Sequence, residues 1–444
     1  MKKSVSSVGL TDKGVDWLMK VVLCRSCFRG PIDGAGETLV TYAAELSRAG
    51  HQPSVLLMYP HPTESQYTDR LKRLDVEVSH VTSHPVEGTL SIMRRVAGYL
   101  FRVVPRSPQR LHEDAEKVAH SFASRYLNQC REQLERSGAE VVHVLTSDAA
   151  SPIIIAAAHA AGLPVIYQEM GTPCHPTFYA PYHQRLISAL PLCVRIAALS
   201  PHLAQDCREK YPDPDKVTVL PVMVEDLYVE GAASGPPEVR FGFAARIEPL
   251  KGPLILAEAF ARLHGSLPSI RLTMAGMGSE EAKVAALMRE FGAEEHCVLP
   301  GTYTTPLEKR SFMQSLDVMV HPSLTEGTPN TIIEAMSFGL PIIASAVGGI
   351  PDLISQESGI LVPPGDVEAL KEAMHVLAVN ADLRRHMGLA ARRRYEQIFS
   401  PSRVLPILLE TYRRVAAEGG APQPAVAAEA WQGVHPWSSE LQVC

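Results

Sequence analysis

Short apolar runs alternate with segments of helical periodicity along most of this chain, and that alternation constrains its fold more than any other feature. Residues 19–24 form the first apolar run, and a loop rich in Gly and Pro follows it. Residues 38–48 then space their apolar side chains as a helix does, and residues 54–58 form the next apolar run. Units of strand, loop, helix and strand build parallel sheets. The sequence therefore predicts an α/β fold.

The alternation occurs twice, with a break at residues 230–238 that contains two glycines and two prolines. We predict two doubly wound, Rossmann-like domains, over residues 20–230 and 238–400. In such folds ligands bind beyond the carboxyl ends of the strands, so the site is expected in the cleft between the domains. The remaining predicted strands cover residues 141–145, 165–167, 196–199, 217–220, 239–244, 270–275, 297–299, 318–321 and 342–345.

The two ends of the chain have a different character. Residues 1–19 are predicted to be a polar leader, and residues 401–418 a last amphipathic helix. Residues 419–444 are rich in Ala and Pro and aperiodic, which indicates a flexible tail.

Composition argues against several classes of function. Lys and Arg number 42 against 48 Asp and Glu, a net charge of −6, whereas sequence-independent binding of nucleic acid rests on basic contacts to phosphate. No uninterrupted apolar run reaches the roughly 18–20 residues that span a bilayer. The eight cysteines are scattered, which fits a reduced, cytoplasmic setting. Cys24 and Cys27 form a CxxC without a second pair at zinc-binding spacing, so we expect no metal site there.

One loop and helix in the second half carry the densest set of functional residue types. A strand ending at His321 leads through a loop to a helix that begins near Pro329. Gly327 allows a tight turn and the close approach of a ligand, and the N–H groups of a helix N-terminus favour an anion such as phosphate. Glu334 lies among apolar residues on that helix, where a carboxylate needs a partner such as a sugar diol. Glu326, eight residues earlier, could engage a second sugar.

Two basic residues follow the first strand of the second half. Arg246 and Lys251 lie at its predicted carboxyl end, where a ligand binds in this class of fold. Two cations at that place can neutralise a pyrophosphate. Taken alone, the pair would be interpreted as ordinary surface cations.

Together these residues resemble the family 4 retaining glycosyltransferases of the GT-B fold. That family has an arginine–lysine pair after the first strand of its C-terminal domain, and two glutamates separated by seven residues. The matching residues are Arg246, Lys251, Glu326 and Glu334. The resemblance is strongest over residues 240–365.

Further positions resemble the family less specifically. Gly276 lies in an Ala-Gly-Met-Gly run that follows the second strand of the C-terminal half. Gly34 and Gly36 resemble the family's glycine-rich loop, which approaches donor and acceptor. His143 resembles a histidine at the end of a strand in the N-terminal domain.

The resemblance implies a GT-B enzyme whose C-terminal helix crosses back to the N-terminal domain. It implies transfer of a sugar from a nucleotide diphosphate sugar to an acceptor hydroxyl, with retention at the anomeric carbon and with no cofactor and no metal. Glu334 would bind the ribose diol, Glu326 the donor hexose, and the two cations the leaving diphosphate. The implied catalytic residues are Arg246, Lys251 and Glu326, and the implied donor-binding residues are Gly34, Gly36, Gly276, Gly327, Thr328, Pro329, Asn330 and Glu334.

The acceptor side departs from the family pattern. Many relatives carry a second histidine where this chain has Leu145, and a His-Gly pair where it has Gln168-Glu169-Met170-Gly171. The acceptor-side candidates are therefore His143, Asp148 and Glu169, and the alternative is that the two acids are ordinary loop carboxylates. The acceptor itself is expected to be a carbohydrate, a lipid-linked sugar or a small molecule.

Residues 88–111 carry five arginines interleaved with apolar side chains and contain no acidic residue. Such a segment can lie on an anionic membrane surface. The sequence thus favours a cytoplasmic protein with possible peripheral contact to the inner face of a membrane. The alternative is an ordinary helix whose arginines face water.

Two other functions stay open. One is another GT-B activity, such as nucleotide-sugar epimerisation or phosphorolysis, although the paired glutamates and the two cations favour transfer. The other is a nucleotide-sugar-binding protein without catalytic activity, which the altered acceptor side permits.

Overall fold

The computed structural model describes residues 18–28, 33–60, 66–82, 124–148, 150–173, 183–229 and 238–419. The arginine-rich segment 88–111, nearly all of the predicted leader and tail, and the predicted break between the domains lie outside the described residues. Of the described helices, none is both long enough and apolar enough to cross a bilayer.

The N-terminal half contains a seven-stranded sheet in which every pairing is parallel. The strand order is β3-β2-β1-β4-β5-β6-β7. The strands are β1 (Lys20–Arg25), β2 (Gln52–Leu57), β3 (Val78–His80), β4 (Val141–Val144), β5 (Val165–Glu169), β6 (Arg195–Ala198) and β7 (Val217–Val219).

The C-terminal half repeats this plan with a six-stranded parallel sheet, in the order β10-β9-β8-β11-β12-β13. Strand order reverses beside β8 here and beside β1 in the first sheet, and such switch points open a crevice at the carboxyl ends of the strands. The strands are β8 (Val239–Ala244), β9 (Ile270–Ala275), β10 (Cys297–Gly301), β11 (Val318–His321), β12 (Ile342–Ser345) and β13 (Gly359–Val362).

Up to β13, the described helices lie in the connections between parallel strands, as parallel pairing requires, and three more helices follow that last strand. In the N-terminal half they are α1 (Gly34–Arg48), α2 (Gln66–Arg73), α3 (124–137), α4 (Ala150–Ala160), α5 (His183–Ala189) and α6 (Pro201–Lys210). In the C-terminal half they are α7 (Pro253–His264), α8 (Glu281–Glu290), α9 (Pro306–Gln314), α10 (Asn330–Ser337), α11 (Ile350–Leu353), α12 (Val367–Val379), α13 (Ala381–Ile398) and α14 (Pro401–Glu418).

The central strands are short apolar runs because helices cover both faces of each sheet. All four residues of β4, β11 and β12 are buried. The predicted bounds of β8, β9, β11 and β12 are confirmed residue for residue. Strands β3 and β13 were not predicted: both lie at an edge of their sheet, and neither is a fully buried apolar run.

The last helix, α14, lies against the N-terminal sheet although it follows the C-terminal half. Its buried residues Leu408, Tyr412 and Val415 pack in one cluster with Leu23 of β1 and Leu39 of α1. The predicted return of the C-terminal helix to the N-terminal domain is therefore confirmed.

Candidate active site

The carboxyl ends of the two sheets face one cleft of about 390 Å³. Both halves contribute to it, because the loops after β1, β5, β8 and β11 all reach its walls. Nine of the residues implied by the family resemblance line it: Gly34, Arg246, Lys251, Glu326, Gly327, Thr328, Pro329, Asn330 and Glu334.

The loop after β8 supplies both cations. Arg246 is exposed, and in the described part of the chain its guanidinium makes no hydrogen bond or ion pair. Lys251 ends a 3₁₀ turn that Gly252 terminates with a φ of +67°. A Cβ on Gly252 would lie 2.2 Å from the carbonyl oxygen of Pro322, so only glycine fits there. This contact places Lys251 beside the loop that carries Glu326.

The Glu326 carboxylate is held through one oxygen. Its Oε1 lies 2.5 Å from Nζ of Lys251 and 2.8 Å from Nε2 of His321, and Oγ of Ser323 donates to it at 2.8 Å. Hydrogen bonds to Oε2 are absent within the described residues. The carboxylate is thus oriented by the protein while one oxygen remains available to a ligand in the cleft.

Burial by itself would raise the pKa of Glu326, but Lys251 and His321 outweigh it and hold that pKa well below its ordinary range. The carboxylate is therefore ionised at neutral pH. Because an ionised carboxylate only accepts hydrogen bonds, the imidazole of His321 donates from Nε2.

Close backbone contact joins the two halves at this loop. The hydroxyl of Thr172 donates to the carbonyl oxygen of Glu326 at 3.0 Å. A Cβ on Gly327 would lie 2.9 Å from the Cα of Gly171, and a Cβ on Gly348 would lie 1.8 Å from the carbonyl oxygen of Glu326. Because these positions are glycines, the loop after β11 can pack closely between the loops that follow β5 and β12.

Two helix N-termini also meet at the cleft. Asn330 begins α10, and its Nδ2 donates to the carbonyl oxygen of Gly34 at 2.8 Å and to the hydroxyl of Thr38 at 3.1 Å, both in α1. Asp33 caps α1 and is held by Arg25 at 2.7 Å. N-terminal ends of helices favour anions, and this pair faces the same space as Arg246 and Lys251.

Glu334 belongs to a row of alternating charges that crosses the cleft, which we name the cross-cleft ladder. Arg70 contacts Glu37 at 2.8 Å, Glu37 contacts Lys309 at 3.3 Å, and Lys309 contacts Glu334 at 2.6 Å. Arg70 and Glu37 belong to the N-terminal half, and Lys309 and Glu334 to the C-terminal half. The four side chains are only 8–16% exposed.

The electrostatics of the cross-cleft ladder keep Glu37 and Lys309 charged. Burial would raise the pKa of the Glu37 carboxyl, but Lys309 and Arg70 outweigh it and lower that pKa. Burial likewise opposes charge on Lys309, yet Glu334 and Glu37 raise the pKa of its ammonium above the ordinary value. A salt link between the halves therefore persists across the neutral range of pH.

Two of the glycines that the family resemblance assigns to the donor site lie outside the cleft. Gly36 is buried, and a Cβ there would lie 3.2 Å from the carboxyl of Asp33 and from the ring of Phe28. Gly276 has a φ of +151°, and a Cβ there would lie 1.9 Å from the carbonyl oxygen of Ala245. Neither lines the cleft; Gly36 allows the cap of α1, and Gly276 allows the end of β9 to approach the loop that carries Arg246.

His143, an acceptor-side candidate, does not reach the cleft. Its ring is fully buried, and its Nδ1 lies 2.8 Å from the hydroxyl of Tyr412 in α14. Tyr42 stacks on it with ring centroids 5.8 Å apart. Burial lowers the pKa of His143 to about 3. On β4 this side chain points to the face that α1 and α14 cover, so it belongs to the core and not to the acceptor site.

The two acidic acceptor-side candidates also have structural partners. Asp148 accepts a hydrogen bond from the backbone N–H of Ala150 at 3.0 Å, at the start of α4. Glu169 is 2% exposed and accepts hydrogen bonds from Ser147, Tyr167, Tyr211 and the N–H of Gly171. Glu169 thereby anchors the loop that contacts Gly327, and neither acid is among the residues that line the cleft.

Several residues of the cleft were not singled out from the sequence. Lys309 and Tyr303 come from the loop and helix after β10, and Glu37 lies beside the glycine-rich loop. Of these three residues, only Glu37 had a feature in the sequence that could have identified it, because it is adjacent to Gly36. Lys309 carried none, because a lysine on an amphipathic helix is ordinarily exposed.

Comparison with protein families agrees with this architecture. The family described as "Glycosyl transferases group 1" matches residues 231–394. The family described as "Glycosyl transferase 4-like domain" matches residues 33–223. The first match contains the two cations and both glutamates, and the second contains the glycine-rich loop.

Individual proteins match over shorter stretches. The chain is 32% identical over 199 residues to a D-inositol 3-phosphate glycosyltransferase of Saccharomonospora viridis, which is 42% of this chain and 46% of that protein. It is 28% identical over 248 residues to an alpha-maltose-1-phosphate synthase of Mycolicibacterium smegmatis, 50% of this chain and 63% of that protein. The matched region spans about half the length of such curated relatives.

Solved structures align over nearly the whole fold. The Anabaena protein Alr3699/HepE, crystallised with UDP and glucose, superposes with a TM-score of 0.67 over 88% of this chain and 99% of its own, at 17% identity. Sucrose-phosphate synthase of Thermosynechococcus elongatus superposes with a TM-score of 0.69 over 90% and 100%, at 16% identity. From the two family matches and this fold, the chain belongs to the group 1 glycosyl transferases of the GT-B fold.

Proposed function

We propose that the protein transfers a sugar from a nucleotide diphosphate sugar to an acceptor hydroxyl, with retention at the anomeric carbon. One observation carries the proposal. Arg246, Lys251, Glu326 and Glu334, which are far apart in sequence, line a single cleft between two Rossmann-like sheets. Enzyme names among the relatives, and the UDP and glucose in the HepE crystal, support the same class of reaction.

The donor's diphosphate would lie between the two cations and the paired helix N-termini. Charge develops on this diphosphate as the bond to the sugar breaks, and fixed positive groups in a partly closed site stabilise that charge. Arg246 suits this role because its guanidinium is exposed and makes no hydrogen bond or ion pair within the described residues. Lys251 is already ion-paired with Glu326, so its ammonium is held in place before the donor arrives.

The two glutamates would hold the two sugars of the donor. Both side chains line the cleft, and each has one oxygen engaged by the protein and one without a hydrogen bond from the described residues, which suits a carboxylate that accepts hydrogen bonds from sugar hydroxyls. Glu326 would contact the transferred hexose and Glu334 the ribose diol. The proposal requires neither a covalent nucleophile nor a metal, since positioning and electrostatic stabilisation carry the reaction.

Binding of the donor can be tested first. UDP-, GDP- and ADP-sugars are screened for a rise in melting temperature, because a ligand that binds the native state stabilises it by mass action. Glu334→Ala and Arg246→Ala are expected to abolish most of that rise. Arg289→Ala, on the far helix α8, is the matched control and should leave it intact. If both site variants kept the full rise, the donor site would be wrongly assigned.

Turnover separates transfer from binding alone. With the donor that binds, release of nucleoside diphosphate is measured with and without sugar and lipid-linked acceptors, in buffer that contains a chelator. We expect turnover that persists in the chelator. Tight binding without turnover on any acceptor would favour a nucleotide-sugar-binding protein, and interconversion of the donor sugar without transfer would favour an epimerase.

A further inference from the structure

The cross-cleft ladder places a buried cation next to the glutamate assigned to the ribose. Nζ of Lys309 lies 2.6 Å from Oε1 of Glu334 and 3.3 Å from Oε1 of Glu37. Its side chain is 8% exposed. Lys309 has one buried carboxylate on each side and is held in one position, because moving it would take the ammonium away from Glu334 and leave Glu37 paired with Arg70 alone.

The geometry at Glu334 leaves room for a ligand. The ammonium engages Oε1 alone, and within the described residues no hydrogen bond reaches Oε2. Glu334 and Lys309 both line the cleft. Two adjacent hydroxyls of a ribose could therefore donate to this carboxylate without displacing the lysine, since each oxygen has two lone pairs.

The far end of the cross-cleft ladder anchors the lysine in the other half. Arg70 binds both carboxylate oxygens of Glu37, since its Nη1 donates to Oε1 at 2.9 Å and to Oε2 at 2.8 Å. Tyr303 adds a ring whose centroid lies 5.9 Å from Nζ of Lys309. The position of the Glu334 carboxylate thus depends on residues from both sides of the cleft.

We propose that Lys309 is a positioning residue that fixes the Glu334 carboxylate for the 2′,3′-diol of the nucleotide ribose and ties it to the N-terminal half through Glu37. This inference rests on the proposed function. A buried ion pair of this kind contributes little net stability, so its consequence is orientation: the carboxylate is pre-set for two hydroxyls instead of one.

The test is the discrimination between ribose and deoxyribose. The affinities of the protein for UDP, GDP and ADP and for their 2′-deoxy counterparts are measured by calorimetry. The comparison then uses the pair whose ribonucleotide binds most tightly. A hydrogen bond to a charged group predicts at least about a tenfold preference for the ribonucleotide in the wild type. Lys309→Met is expected to reduce that preference to about twofold or less.

A purely structural role for Lys309 predicts a different result. In that case Lys309→Met would lower the affinities for the ribonucleotide and the deoxyribonucleotide by the same factor, and the ratio of the two affinities would not change. An unchanged ratio, or a higher one, would overturn the inference. Lys283→Met is the matched control, because Lys283 also pairs with a glutamate at 3.2 Å but is 66% exposed. If Lys309→Met does not fold, Glu37→Gln removes one of the two anchors and should lower the ratio by about twofold to threefold.

The outcomes separate this inference from the proposed function. Failure of every nucleotide to bind the wild type would overturn both. Binding without any preference for ribose would overturn the ribose contact of Glu334 and with it the role of Lys309, while donor binding would stand. A preference that survives Lys309→Met would overturn the role of Lys309 alone.

Discussion

At the scale of single residues, the site depends on how each carboxylate is partnered. Glu326 combines three donors on one oxygen with a lowered pKa, so it stays charged and oriented. Glu169 is also buried and hydrogen-bonded, but its donors are hydroxyls and an amide that occupy both oxygens. The free oxygen and its place in the cleft distinguish a ligand-binding carboxylate from a structural one.

Replacing Glu326 by Gln removes the charge while keeping the shape. We expect kcat/KM for transfer to fall by about a hundredfold or more, because Lys251 loses its fixed partner beside the diphosphate. Affinity for the nucleoside diphosphate alone should change by less than about threefold, since the ribose contact is intact. Steady-state kinetics and calorimetry measure the two effects. Glu290→Gln, at an exposed glutamate that ends α8, is the control.

His143 predicts a pH dependence of stability. Its pKa is lowered to about 3 by burial, so the unfolded chain takes up a proton below about pH 6.5 that the folded chain does not. The stability it contributes is complete above that pH and is lost on acidification. Linkage predicts about 2 kcal/mol less free energy of unfolding at pH 5 than at pH 8 from this residue.

The measurement compares urea unfolding at pH 5 and pH 8 for wild type and His143→Phe. The variant should lose about 2 kcal/mol less than the wild type between these conditions, because the contributions of other groups cancel in the difference. His386→Phe, an exposed histidine on α13, should keep the wild-type difference. Equal losses in wild type and His143→Phe would contradict the buried, neutral imidazole.

At the scale of elements, loops that leave the carboxyl ends of strands carry the site, and small polar clusters hold those loops. The loop after β5 is an example. Glu169 ties its first residues to Ser147 after β4 and to Tyr211 after α6, and Thr172 then contacts the loop of Glu326. A carboxylate outside the cleft can in this way set the geometry inside it.

Glu169→Ala would leave three buried hydroxyls and an amide without their acceptor. We expect a loss of about 3 kcal/mol in the free energy of unfolding, accompanied by reduced turnover. Asp148→Ala, which removes the side-chain acceptor of the Ala150 N–H at the start of α4, should cost about 1 kcal/mol. A Glu169→Ala protein of unchanged stability that had lost all turnover would instead indicate a catalytic base.

At the scale of the whole molecule, the two halves meet through contacts that the cleft requires. Asn330 bonds to Gly34, the cross-cleft ladder joins α1 to α9 and α10, and α14 returns to the N-terminal sheet. The site is therefore completed by the approach of the two sheets, and neither sheet holds all of its residues.

Gly327→Ala tests the closeness of that approach. The added methyl would lie 2.9 Å from the Cα of Gly171 in the other half. We expect kcat/KM to fall by about tenfold or more, since a small misplacement of binding groups is costly. The melting temperature should change little, because the methyl lies between two loops and not within a hydrophobic cluster. Gly265→Ala, whose nearest contact would be 3.6 Å, should preserve activity.

Activity and small-angle scattering on the two variants measure this effect. A larger radius of gyration for Gly327→Ala, together with the lower activity, would show that the halves have moved apart. Full activity in that variant would contradict a site that depends on their contact.

The sequence by itself determined the elements and the donor side. Apolar runs specify the buried strands because a helix-covered parallel sheet has no polar face, and β8, β9, β11 and β12 accordingly appear with their predicted bounds. Arg246, Lys251, Glu326 and Glu334 were also identifiable, because together they resemble the residue pattern of the family 4 glycosyltransferases.

Only the tertiary structure decided which polar residues face the cleft. His143 was a site candidate, but its position on β4 turns it toward α14, a helix that arrives from the other end of the chain. Lys309 was an unremarked helical lysine until the approach of Glu37 from the N-terminal half made it a buried cation. Both outcomes depend on contacts between distant parts of the chain, and a pattern of neighbouring residues contains no information about such contacts.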